Sequence, residues 1–208
     1  MAQNPVNRRE AGAALLLLAL PGLATAQPTT KPPLKRLRYA FPVSETGFDP
    51  VLLSDLYSRN VTRHIFESLC GYDLLARPTQ IRPLTAAAMP EVEDDFRTWT
   101  FRIRPGIYFA DDPAFKGKRR ELVAADYVYT LKRFADPANK SPVWGSVEEM
   151  GLIGLKELRN QALKSRSNFD YDREIPGLRA LERHTLQFKL EGPRPRIHED
   201  MADASLYG

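Results

Sequence analysis

The sequence predicts a mixed α/β fold of the α+β kind, and three observations carry that reading. Apolar and polar residues alternate, as in half-buried strands, over 36–41, 98–103 and 186–190. A helical spacing of apolar residues follows Asp49-Pro50 and recurs over 124–134. The two kinds of segment mix without a regular βαβ period and without an internal repeat.

Taken in order, the chain begins with an export signal. Arg8 and Arg9 precede an apolar run over 11–20, Pro21-Gly22 break it, and Ala24-Thr25-Ala26 supplies the small-x-small pattern of a signal peptidase site. The run is shorter than the ~20 apolar residues of a membrane-spanning helix. The expectation is therefore a bacterial chain cleaved near Ala26–Gln27, periplasmic, and not stably inserted in a membrane afterwards. The arginine pair raises the twin-arginine route, although Asn7-Arg8-Arg9-Glu10-Ala11 lacks the apolar residues that usually follow it, and both export routes stay open. Gln27 stands where a lipoprotein would carry cysteine.

Residues 27–33 read as a Pro/Thr-rich tether. Leu37, Tyr39 and Phe41 then alternate with Arg36, Arg38 and Ala40 as a strand, and 42–47 forms a polar loop. Asp49-Pro50 opens a helix, with Asp as N-cap and Pro where its missing N–H costs nothing. Leu53, Tyr57, Val61 and Ile65 mark its apolar face, and Cys70 lies at its end. Trp99, Phe101 and Ile103 form a strand, Pro105-Gly106 a turn, and Ile107-Tyr108-Phe109 the returning strand of a hairpin. A second helix covers 124–134 and stops at Asp136-Pro137, and a third covers 147–164. Leu186, Phe188 and Leu190 alternate in a last strand that ends at Gly192-Pro193.

Composition narrows the function. With 43% hydrophobic residues the chain is globular. Its 30 basic and 26 acidic residues interleave, as in Asp170-Tyr171-Asp172-Arg173-Glu174, so no nucleic-acid partner is expected. The one dense basic cluster, Lys116, Lys118, Arg119 and Arg120, reads as a solvated loop. A single cysteine, Cys70, forbids an internal disulfide and leaves stability to core burial. Cys70 itself reads as a small buried hydrophobe; a nucleophilic role would need a base such as His64.

Catalytic signatures are absent: there is no Gly-x-Ser-x-Gly elbow, phosphate-binding glycine loop or His-Glu-x-x-His. His64 and Glu67 share a helix face, but a zinc site needs three or four ligands, so a surface ion pair is the reading. His184 and His198 have no ligand spacing. Asp111-Asp112 reads as a capped turn rather than a glycosidase pair, whose carboxyls must face each other across a bond. Asn60-Val61-Thr62 is a formal sequon inside a predicted helix and carries no weight. Trp144, beside Pro142 and Gly145, is read in a loop, open to stacking on a ligand or to covering a lobe. No metal, cofactor or enzymatic activity is expected.

The order of these pieces resembles a known family. Thr46-Gly47-Phe48-Asp49-Pro50 leads to a helix ending in Glu67-Ser68-Leu69, then to Pro83-Leu84-Thr85-Ala86. The block from Thr98 to Phe109 follows, then Ala124-Ala125-Asp126-Tyr127-Val128, then Pro176 to Glu182 leading into Thr185 to Leu190. This pattern is similar to the extracellular solute-binding proteins of family 5, the peptide-binding components of ABC importers. The block Thr100-Phe101-Arg102-Ile103-Arg104-Pro105-Gly106-Ile107 with Phe109 is its most specific part. Two departures stand out: Asp112 replaces the usual glycine, with a basic insertion over 113–122, and members of the family run to more than twice this length.

The resemblance implies a periplasmic binding protein-like fold: a first lobe with an accessory subdomain, the second lobe being absent from this chain. Residues 34–69 would start lobe I, 70–181 form the accessory subdomain, and 182–208 hold a strand returning to lobe I. It implies capture of a peptide or other small solute and delivery to ABC permease subunits, with two lobes closing over the ligand. Val43, Ser44, Glu45 and Thr46 correspond to the first-lobe loop that lines the ligand cleft, and Glu45 would meet a cationic group. The alternatives are a truncated remnant that binds nothing and, more distantly, an exported hydrolase. A first lobe by itself is also expected to expose apolar surface and to self-associate.

Overall fold

The computed structural model describes residues 34–165 and 168–203. The expected export signal over 1–26 and tether over 27–33 lie outside the described residues. The chain divides into two compact units, residues 1–39 and 40–208. In the first, the described stretch 34–39 carries neither helix nor strand, and Leu37 and Tyr39 are exposed. The strand expected over 36–41 is therefore not formed. Alternation supplies the side-chain period of a strand, but a strand also needs a hydrogen-bonded neighbour, and no described strand takes that place.

The second unit is built on a four-stranded antiparallel sheet in the order β3-β4-β6-β5. These strands are β3 (Glu91–Glu93), β4 (Thr98–Arg102), β5 (Leu178–Glu182) and β6 (Thr185–Lys189). They follow α1 (Leu56–Thr62) and a two-stranded antiparallel ladder of β1 (Cys70–Asp73) and β2 (Gln80–Pro83). The alternation read from the sequence sets the register: Trp99 pairs with Phe188 and Phe101 with Leu186, all four buried. The rings of Phe101 and Phe188 lie 5.4 Å apart and tilted, within the favourable range for aromatic pairs. β6, expected to return to the first lobe, sits between β4 and β5 in this sheet.

Helix α2 (Ala124–Ala135) covers the sheet with Tyr127, Leu131 and Phe134, all buried. Its first turn is fixed by the Asp126 carboxylate, which accepts the Val123 N–H at 2.8 Å. Its last turn ends at Asp136, whose side chain accepts the Ala138 N–H at 2.9 Å and so caps the next turn. Lys132 is buried on this helix, and its ammonium donates to the carbonyls of Tyr171 and Arg173 at 2.6 and 2.8 Å. Leu155 and Leu158 of α4 (Leu155–Ser165) and Ile197 of α5 (Ile197–Asp200) complete the core. Each such side chain contributes roughly 1.5–3 kcal/mol on burial.

Four further expectations are corrected. The helix opened by Asp49 is two pieces: a 3-10 turn at Pro50–Leu52 capped by Asp49, and α1 capped by Asp55. The buried residues of α1 are Ser58 and Thr62; of the four-residue apolar series Leu53 is buried, Tyr57 and Val61 are half-buried and Ile65 is exposed, so that series marks a partly covered side. Cys70 opens β1 instead of ending that helix; burial pushes its thiol up to about 11, which keeps it protonated at neutral pH. The hairpin over 98–109 does not close on itself: β4 pairs with β3 and β6, while 107–109 bonds to 120–122.

The helix over 147–164 is also divided, into α3 (Trp144–Glu149) and α4. Gly151 and Gly154 adopt φ of +70° and +89°, conformations that leave the helical path and suit glycine. The linking segment bonds back to the sheet, with the Ile153 N–H donating to the Lys189 carbonyl at 3.1 Å. Gly177 lets that segment pass, since a Cβ there would lie 2.1 Å from the Ile153 nitrogen.

Candidate functional site

The loop carrying Val43, Ser44, Glu45 and Thr46 is held from one end. The Thr46 N–H donates to the Ser58 hydroxyl at 2.8 Å, and the Thr46 hydroxyl donates to Asp55 Oδ2 at 2.6 Å. Asp55 Oδ1 accepts the Ser58 N–H at 2.8 Å, so one carboxylate caps α1 and anchors the loop together. The Ser58 N–H and then the Thr46 hydroxyl hold the Asp55 carboxyl at about 2, well below its usual range. Upstream of Thr46, residues Val43, Ser44 and Glu45 stand exposed.

Beside this loop lies an open cleft of about 890 Å³. One wall is the turn over 48–51 and the chain over 63–67, another is 107–110 with Phe115, Arg120 and Leu122, and the third is α2. None of Val43, Ser44, Glu45 or Thr46 lines it; the residues that do begin at Phe48. The Thr85 and Tyr127 hydroxyls meet 2.6 Å apart on its surface, and burial pushes the Tyr127 phenol up.

Two ion pairs brace the walls. Arg133 on α2 donates to both carboxylate oxygens of Asp49, at 3.0 and 2.6 Å, joining the 48–51 turn to the helix. Partial burial alone would raise the Asp49 pKa, but the Arg133 hydrogen bonds and charge, with the Val51 N–H, lower it overall. Arg120 pairs with Asp126 and lays its guanidinium 4.9 Å over the Phe109 ring. Glu121 ties the same wall to the sheet: Oε1 accepts the Gly106 N–H at 2.8 Å and Oε2 accepts from Arg183 at 2.8 Å. The Gly106 N–H, then Arg183, hold the Glu121 carboxyl at about 2. The arrangement is an aromatic-walled recess in which Asp49, Arg133, Arg120 and Asp126 are paired.

His64 and Glu67 line the cleft, both exposed, and are not among the described ion pairs. Among the described residues no group of three or more His, Cys, Asp or Glu could hold a metal ion. Asp112 caps the turn Pro113–Phe115, accepting the Ala114 N–H at 2.8 Å. Trp144 opens α3, not a loop, with the Arg159 guanidinium 4.9 Å from its ring, so one ring face is occupied. Sequence reasoning missed Arg133, Tyr129 and Thr130, which share the outer side of α2. Their signal is present in the sequence as the side of the helix opposite the apolar residues.

Comparison with known proteins adds the wider context. Residues 80–207 match the family model of bacterial extracellular solute-binding proteins, family 5, middle region. The periplasmic oligopeptide-binding protein OppA of Salmonella typhimurium is 26% identical over 160 residues, covering 77% of this chain and 26% of that protein. The dipeptide-binding protein of Escherichia coli is 29% identical over 174 residues, covering 81% and 28%. The crystal structure of Haemophilus influenzae OppA, in complex with the peptide RPPGFSPFR, superposes with a TM-score of 0.61 at 22% identity, covering 76% and 27%. The chain spans about a quarter of the length of the relatives it matches. The fold is that of periplasmic binding proteins, present as part of one lobe. No helix among the described residues is long and apolar enough to cross a membrane.

Proposed function

Because the chain belongs to the bacterial extracellular solute-binding proteins of family 5, we propose that it contributes the opening part of a peptide-capturing component of an ABC importer. The observation that carries this reading is the family match over 80–207 together with the exposed 43–46 loop pinned through Thr46 to the Asp55 cap. In this reading the apolar run over 11–20 directs export, cleavage follows Ala26, and the protein works in the periplasm. Residues 34–69 open the first lobe, and the sheet with α2 forms its accessory subdomain.

The role of the loop follows from its polarity. Val43, Ser44 and Glu45 present backbone groups and one carboxylate to solvent, while Thr46 fixes their position. An extended peptide pairs with such main-chain groups as an added strand, and Glu45 meets a cationic group on the ligand. No bond is made or broken; the second half of the site comes from the lobe that this stretch of chain does not include. Closure over the ligand then creates the surface that the membrane permease reads.

A thermal melt of the purified protein with and without a mixed pool of short peptides tests the proposal. A ligand that binds only the folded state at a hundred times its Kd adds about 2.7 kcal/mol of stability. An upward shift of the midpoint is expected, diminished in Glu45→Gln. A cooperative melt with no shift would overturn peptide capture by this chain and favour a remnant that binds nothing.

A further inference from the structure

The basic insertion carries an observation that solute capture does not use. From 107 to 122 the chain leaves and returns as two bonded limbs: the Phe109 N–H donates to the Arg120 carbonyl and the Leu122 N–H to the Ile107 carbonyl, both at 2.9 Å. At the far end Lys116 and Gly117 take left-handed φ of +51° and +74°, which turns the chain tightly. Lys116, Lys118 and Arg119 are exposed, line neither described cavity, and meet no carboxylate among the described ion pairs. Arg120 is the exception, being neutralised by Asp126. Three acids share the loop: Asp112, which caps the Ala114 N–H, Glu121, paired with Arg183, and Asp111, exposed.

Aromatic rings accompany these cations. The Arg119 guanidinium sits 3.8 Å over the Tyr108 ring, and Phe109 lies 6.5 Å from Phe115. Tyr108 and Phe109 also line the cleft described above, yet remain 41% and 43% exposed. Free cations beside half-exposed rings on a braced loop are the two signals by which a surface is held at a lipid headgroup layer: charge draws it in and amphipathic rings settle at the boundary. An acidic peptide would instead need enclosing walls with fixed donors, which Lys116 and Lys118 do not have.

We propose that the 107–122 loop is a reversible docking element for an anionic bilayer surface, with Lys116, Lys118 and Arg119 supplying the attraction and Tyr108 and Phe109 the interfacial contact. The proposal is independent of peptide capture. Each Lys or Arg near such a surface is worth about 1 kcal/mol, roughly fivefold in partitioning. The attraction is screened within about 10 Å at ordinary salt.

The test is co-sedimentation of the full chain and of K116E/K118E with vesicles of phosphatidylcholine mixed with phosphatidylglycerol, and of phosphatidylcholine alone, at low and high salt. Wild-type partitioning onto the mixed vesicles is expected to exceed that of the variant by more than about a hundredfold, to fall at high salt, and to protect amides of 107–122 from hydrogen exchange. An apolar segment such as 11–20 would carry both proteins onto either vesicle alike, so the difference between them reads the loop. Should the double reversal fail to fold, K116Q/K118Q and the salt dependence give the same comparison. Equal partitioning of wild type and variant, indifference to salt, protection confined outside 107–122, or binding to polyglutamate without binding to the mixed vesicles would overturn the proposal.

Discussion

The sheet with α2 and the segment over 41–66 are held in opposite ways. The sheet is closed by apolar burial: Phe101, Phe134, Leu186 and Phe188 are each completely buried. The 41–66 segment buries Val51 and Leu53 but leaves Val43, Phe48, Leu52, Leu56 and Ile65 exposed, and adds polar pins, Thr46 to Asp55 and Asp49 to Arg133. The difference teaches that this stretch rests on two buried anchors and on polar pins, where the sheet rests on apolar burial throughout. Burial makes the sheet cooperative, whereas single charged pairs allow the outer segment to open on its own.

The comparison breaks most visibly in the sheet. Phe101→Ala is expected to cost about 3–5 kcal/mol, a large share of the ~5–15 kcal/mol of a typical domain. Denaturant melts followed at two probes should show the sheet and α2 losing stability together.

The sheet was also the region most legible in the sequence. Trp99, Phe101, Leu186 and Phe188 alternate clearly because one strand face is buried and the other is not. β3 was invisible because all three of its residues are exposed, and β5 because only Leu178 is buried. The division of the 147–164 helix was written in Gly151 and Gly154, but their turning conformation depends on bonding back to the sheet. In the candidate site, the Asp49 cap was legible because its partner is two residues away. Its tie to Arg133 joins residues 84 apart, and no local pattern encodes such a pair.

A smaller effect is expected at that tie. Arg133→Ala removes a bidentate pair whose side chains keep 29% and 34% of their exposure. The loss should be about 1 kcal/mol, nearer to an exposed pair than to a buried one. Hydrogen exchange at 48–53 should accelerate while Phe101 and Phe188 amides hold. Equal acceleration in both places would erase the distinction between the two regions.

Thr46→Val should act still more locally, at about 0.5–1.5 kcal/mol for the lost hydrogen bond, seen as faster exchange at 43–46 with an unchanged global midpoint. Acid probes the same pin without mutation. The Asp55 carboxyl is depressed from 3.8 to about 2 and that of Glu121 from 4.5 to about 2. Depressed carboxyls stabilise fully above their unfolded values and lose that contribution as pH falls through the folded ones. The Thr46 and Gly106 amides should therefore stay protected at pH 5 and lose protection between about pH 4 and 2. Asp55→Asn should abolish the change at Thr46 alone.

The most direct test of peptide capture by the pinned loop is amide hydrogen exchange over 41–66, with and without a mixed pool of short peptides. Added protection is expected at Val43, Ser44 and Glu45, weakened in Thr46→Val, with the sheet amides unchanged. Protection that appears only elsewhere, or none while the sheet remains folded, would contradict capture by the loop.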